Sequence, residues 1–127
     1  MKSIALSNVD VNNIGASIRN KEVHTSIIDA ISNMDSIAIT GRIGAGKTRL
    51  YREILKLLSL SKHAEGYGAY TCIDEVGLDT EVEFVKKKMA GEGSREKQAV
   101  LFTSYYRDDT ALLRAFPDFD GLHIHIN

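Results

Sequence analysis

The chain has 127 residues, 43% hydrophobic and 26% charged, with a single proline. That length fits one domain rather than two, and the composition excludes disordered, collagenous and low-complexity classes. Sixteen Lys and Arg stand against seventeen Asp and Glu for a net charge of −1, so nucleic-acid or anionic-lipid binding gains no support from overall charge and would need a local patch. The lone cysteine, Cys72, cannot form an intrachain disulfide, which fits a reducing compartment. Polar residues break up the first ten positions too early for a signal-peptide core, and no run of about 18 apolar residues occurs. The expectation is a cytoplasmic protein without membrane insertion.

Residues 1–22 read as an N-terminal arm or weak strand, because Ile4, Leu6, Val9 and Val11 alternate only in part; residues 23–127 form the core domain. From Val23, the apolar positions Ile27, Ile28, Ile31 and Met34 recur at helical spacing, and Asp35-Ser36 end that helix. Ser36-Ile37-Ala38-Ile39-Thr40 is a buried strand stopped by Gly41. Residues 48–60 place Leu50, Ile54, Leu57 and Leu58 on one helical face. A glycine-containing turn at residues 65–68 precedes a second buried strand, residues 69–73, which runs into Asp74-Glu75. Thr80-Glu81-Val82-Glu83 has the form of a capping box. The helix it opens should run to about Met89 and end at the glycine-rich residues 91–94. Residues 99–103 make a third strand with Ser104 at its end. Asp108 or Asp109 can cap a short helix that Pro117 stops, and residues 121–126 close the chain as a fourth strand. Strands alternating with helices imply an α/β fold: a three-layer α-β-α sandwich around a mostly parallel sheet of about four strands.

The strongest motif is Gly41-Arg42-Ile43-Gly44-Ala45-Gly46-Lys47-Thr48, followed by Arg49. It matches G-x-x-x-x-G-K-[ST], with an expected strand before it and an expected helix after it. Its glycines permit backbone angles that let successive N–H groups curl around a phosphate, and the helix N-terminus adds free amides and a positive dipole end. Lys47 can reach β- and γ-phosphates, and the Thr48 hydroxyl can bind the Mg²⁺ that bridges them. Asp74, at the end of a buried strand, is the candidate second metal anchor. Glu75 beside it can polarise a water for attack on the γ-phosphate.

The glycine loop, the Asp74-Glu75 pair and a further strand ending at Thr103-Ser104 resemble the additional-strand class of P-loop NTPases. The segment from Ala99 through Arg107 and Phe116 to Ile126 resembles the end of a minimal AAA+ core. The resemblance spans residues 36–126. It implies a P-loop fold and Mg²⁺-dependent ATP binding and hydrolysis, with ATP and Mg²⁺ as cofactors. It also implies a sensing residue at Thr103 or Ser104, and coupling to the movement or assembly of a macromolecular partner in a homo-oligomer or larger ATPase assembly. Arg114 or Arg107 would stand in for an arginine finger. Four departures are visible: only about ten residues separate the helix after the loop from the Asp74 strand, Ser104 or Tyr105 stands where an asparagine sensor is common, Ala115 stands where an arginine commonly precedes the phenylalanine, and the sequence to Asn127 is expected to hold no lid domain or second sensor. A nucleotide-binding switch or assembly subunit with little hydrolysis, and a motor of the FtsK/HerA or secretion kind, are the alternatives.

Other features read as structural. His123 and His125 share one face of a strand and, with no further ligand close in sequence, read as packing or surface residues, the alternative being a metal pair. Cys72 is a small buried hydrophobe. Lys86-Lys87-Lys88 forms a solvated helix face, with a nucleic-acid backbone contact aided by Arg95 and Lys97 as the alternative. Tyr105-Tyr106 reads as buried beneath a loop, the alternatives being a base stack or a subunit contact.

Overall fold

The apolar runs of the sequence become strands because they can be covered on both faces. In the computed structural model, which describes residues 1–8, 11, 21–60, 70–91 and 98–127, every residue of the strands Ile37–Gly41 and Ala99–Ser104 is buried, as in parallel sheets with helices on either side. In chain order the elements are β1 (Lys2–Leu6), α1 (Lys21–Ser32), β2 (Ile37–Gly41), α2 (Lys47–Leu60), β3 (Tyr70–Ile73), α3 (Asp79–Ala90), β4 (Ala99–Ser104), α4 (Asp109–Ala115) and β5 (Leu122–Ile126).

The sheet has five strands in the order β1-β5-β2-β4-β3, and every pairing is parallel. The expected count of about four is thus one short. The further strand is Lys2–Leu6, which buries only Ile4 and Leu6 while pairing residue for residue with β5 along the sheet edge. An edge strand needs few apolar residues, so its alternation is weak in the sequence. On one face, Val23, Ile27 and Ile31 of α1 and Leu50, Ile54 and Leu58 of α2 pack with Ile37, Ile39, Leu101 and Ile124. On the other, Val85 of α3 and Leu112 and Phe116 around α4 pack with Ala38, Val100 and Phe102. The Phe102 and Phe116 rings lie 5.0 Å apart, centroid to centroid. Among the described residues no helix is long and apolar enough to cross a membrane.

Helix ends follow local hydrogen bonding. The expected capping box at Thr80 and Glu83 is displaced: Glu81 does the capping, its carboxylate accepting from the N–H groups of Leu78 at 2.8 Å and Gly77 at 3.2 Å. That draws the start of α3 back to Asp79. Gly91, at φ 73°, ends the helix in the left-handed conformation a C-cap glycine supplies. Of the two candidate caps for α4, Asp108 is the one used, accepting from the Ala111 N–H at 2.8 Å. The turn at residues 65–68, the strand start at Ala69, residues 92–94, and Arg95 and Lys97 lie outside the described residues.

Where β5 begins, the chain passes tightly under β2. Ser36 O accepts from the Leu122 N–H at 2.9 Å, and a Cβ on Gly121 would sit 2.1 Å from that same oxygen. Both groups are backbone, so neither can swing away. Gly121→Ala is therefore expected to destabilise the domain by about 1–3 kcal/mol or more through overpacking, read as a lowered urea midpoint with an unchanged m value.

Candidate functional site

The glycine loop leaves the C-terminal end of β2 at the centre of the sheet, where open α/β sheets place ligands. Two of its glycines are required by sterics. Gly41, at φ 154°, has no room for a side chain, since a Cβ would lie 2.7 Å from Ile126 O; at Gly46, φ 105°, it would meet Val11 Cγ1 at 2.7 Å. The Ala45 N–H donates to Arg42 O at 3.1 Å, closing the turn, and the Asn8 side-chain amide donates to Ala45 O at 2.9 Å. α2 starts at Lys47, so its first N–H groups, which lack partners within the helix, face the loop. A cavity of about 240 Å³ lies here, lined by Ile43, Gly44, Gly46, Lys47, Thr48, Arg49 and Glu75.

Asp74 and Glu75 come to this loop because β4 stands between β2 and β3. Asp74 Oδ2 accepts from the Thr48 hydroxyl at 3.0 Å and Asp74 Oδ1 from the Thr103 hydroxyl at 2.6 Å. Thr103 Oγ1 in turn accepts from the Glu75 N–H at 2.6 Å. Glu75 itself sits at φ 63°, a left-handed conformation uncommon for a residue with a side chain. Glu75 is among the residues that line the loop cavity, and its charge acts on Lys47. Thr48 Oγ1 and Asp74 Oδ2 are hard oxygen donors of the kind Mg²⁺ takes. Among the described residues no group of three or more His, Cys, Asp or Glu could hold a metal, but a Mg²⁺ bound through one carboxylate and substrate phosphates requires no such group.

Lys47 is buried, and its ammonium donates to Gly41 O at 2.8 Å and Arg42 O at 2.9 Å. Burial lowers its pKa, while the nearby charges of Glu75 and Asp74 push it back up. Ser104, the expected catalytic sensor, is turned away: it is buried, and its hydroxyl donates to Val76 O. Thr103 is the residue brought to Asp74. Strand residues alternate faces, and Thr103 lies one residue beyond the Ile73–Phe102 register pair, beside Asp74. Arg114 is exposed in the last turn of α4, and Arg107 lines a different cavity with Asp109 and His125; neither borders the glycine loop. Tyr106 packs against Phe116, centroids 6.1 Å apart. Tyr105 departs from the expected burial: it is 45% exposed, with its ring centroid 4.9 Å from Lys47 Nζ. Burial pushes the Cys72 thiol up, away from the thiolate form a nucleophile needs. Lys86 pairs with Glu83 at 3.6 Å along the outer side of α3.

A second polar cluster, invisible in the sequence, adjoins the loop strand. Thr40, immediately before Gly41, has its hydroxyl 2.5 Å from His123 Nε2 and 2.8 Å from His125 Nδ1. His123 Nδ1 lies 2.5 Å from Asp109 Oδ1, which also accepts from the Ser3 hydroxyl at 2.8 Å. His123 is almost fully buried. The cluster thus joins β1, β2, β5 and α4. It includes the two histidines expected to be packing or surface residues, and it draws on segments from both ends of the chain.

No known protein family, characterised protein or solved structure matches this chain significantly.

Burial and the neighbouring His123 lower the pKa of His125, an effect Asp108 and Asp109 partly offset. The folded chain therefore favours neutral His125. As pH falls through the ordinary value of about 6.5, the unfolded chain takes up the proton first, so stability drops until folded His125 also protonates. The parent is expected to lose urea resistance between about pH 7.5 and pH 5.5. His125→Asn, whose amide can replace the Nδ1 contact with the Thr40 hydroxyl, should lose less over the same interval.

Proposed function

We propose that the chain is a minimal P-loop NTPase of the additional-strand class that binds ATP with Mg²⁺ and hydrolyses its β–γ phosphoanhydride. The observation that carries this reading is the 3.0 Å hydrogen bond from Thr48 Oγ1 to Asp74 Oδ2. Two residues 26 positions apart, each picked from the sequence as a metal anchor, are adjacent in space. The strand β4, inserted between the loop strand and the Asp74 strand, supports the additional-strand assignment. The presence of Glu75 in the lining of the cavity supports hydrolysis over binding alone.

On this reading, the loop amides and Lys47 hold the β- and γ-phosphates, with Arg49 as the second cation on the cavity wall. Thr48 and Asp74 would hold Mg²⁺, which when bound offsets charge on the phosphate oxygens. Glu75 orients a water and accepts its proton as the oxygen bonds to the γ-phosphorus. The bond from that phosphorus to the β–γ bridging oxygen breaks, and ADP and phosphate leave. Thr103 is a positioning residue: it fixes Asp74 by donation and the Glu75 backbone by acceptance. Arg107 and Arg114 lie away from the loop cavity, so either of them would reach the γ-phosphate only from a second copy in a homo-oligomer. This keeps an assembly-dependent enzyme, coupled to movement or assembly of a macromolecular partner, as the biological form of the proposal.

Lys47→Ala should abolish ATP binding in calorimetry while circular dichroism stays unchanged; retained affinity in the folded variant contradicts the reading. Glu75→Gln should bind ATP as the parent does yet hydrolyse it roughly two to four orders of magnitude more slowly, the range of general-base catalysis. Turnover that rises more steeply than protein concentration, and is lost in Arg114→Ala or Arg107→Ala, marks a site completed by a neighbour. Tight binding without turnover marks a switch.

A further inference from the structure

Tyr105 has no part in the scheme above, yet its ring lies against the residue most central to it. Its position is built. Ser104, just before it, is fixed through its hydroxyl to Val76 O, and the Val76 N–H donates to Thr103 O at 2.7 Å, so the end of β4 and the segment after β3 hold each other. Gly77, next in that segment, leaves the space the ring uses: a Cβ there would come within 3.2 Å of Tyr105 Cε2. The Lys47 ammonium is 4.9 Å from the ring centroid, within the range of a cation–π contact.

The same ammonium also donates to Gly41 O and Arg42 O. It is thus committed to three partners belonging to the protein, and a phosphate oxygen in the loop cavity must compete with all of them. Two are carbonyls of the loop itself. The ring is the partner that a side-chain rotation can remove, because it is 45% exposed and hangs from the strand end. We infer that Tyr105 covers Lys47 and sets the affinity of the glycine loop for phosphate groups, holding the ammonium until a polyphosphate displaces the ring. The inference rests on the phosphate-binding reading of the loop and adds to it a residue that tunes affinity.

The test is a series at this position, Tyr105→Ala, Leu, Phe and Trp, each checked for fold by circular dichroism and titrated calorimetrically with inorganic pyrophosphate and with ATP, both with Mg²⁺. Exposed cation–π contacts are strongest for Trp and absent for Leu, which retains bulk. Ala and Leu should bind about two- to fivefold more tightly than the parent, Phe like the parent, and Trp more weakly. In proton spectra the Lys47 Cε protons of the parent should carry an upfield ring-current shift that Tyr105→Leu removes and that pyrophosphate removes from the parent. Equal affinities across folded variants that bind pyrophosphate overturn the inference and leave the loop reading standing. Weaker binding by Ala and Leu also overturns it, because the ring would then belong to the ligand's own contacts. If neither the parent nor Tyr105→Leu binds pyrophosphate or ATP, the loop reading fails and the inference fails with it.

Discussion

The Asp74 carboxylate is the point at which three elements meet. One oxygen holds the first turn of α2 through Thr48, and the other holds the end of β4 through Thr103. Thr103 then fixes the backbone of Glu75. Hydrogen bonds to an ionised carboxylate are roughly twice as strong as neutral ones, and these two fix the spacing between the glycine loop and the strand that carries the acids. If either hydroxyl were lost, the left-handed turn at Glu75 and the loop would no longer be held in one register. The chemistry proposed for Lys47, Thr48 and Glu75 depends on that spacing more than on any single side chain.

Cavity size alone would choose a different place. A larger cavity, about 430 Å³, lies at the opposite end of the sheet, where Ser36 precedes β2 and Asp120 precedes β5, and its lining mixes Glu83, Lys86 and Lys87 with Met89 and Phe116. None of the described residues that line it belongs to the first turn of a helix. The smaller cavity at the loop has positive-φ glycines, a helix start, a buried lysine and an acidic residue from the segment after β3. Convergent chemistry at the C-terminal ends of parallel strands is the better guide to a ligand site than volume is.

Much of this site was legible because a few local rules are strong. The glycine loop announces itself by residue type and by the strand and helix on either side, and Asp74 by its place after an apolar run. The choice between Thr103 and Ser104 was not legible: every residue from Ala99 to Ser104 is buried, so alternation disappears and only the pairing with β3 decides which hydroxyl meets Asp74. The exposed position of Tyr105 was hidden for a related reason, since it depends on the absent side chain of Gly77 across a loop. β1 was obscured by its edge position. The Thr40–His123–Asp109 cluster required contacts spanning most of the chain. At α3, Glu81 captured two amides before Thr80 and Glu83 could form a capping box.

The central claim is that the glycine loop is a phosphate site coupled to Asp74, and a backbone amide NMR titration of the whole chain with Mg²⁺ and ATP tests it most directly. The account predicts saturable shifts that concentrate on Gly44, Gly46, Lys47 and Thr48, accompanied by Glu75 and Thr103 through the Asp74 contacts. Shifts confined to the cavity around Ser36, Lys87 and Asp118, or no saturable shifts at millimolar nucleotide, would contradict it.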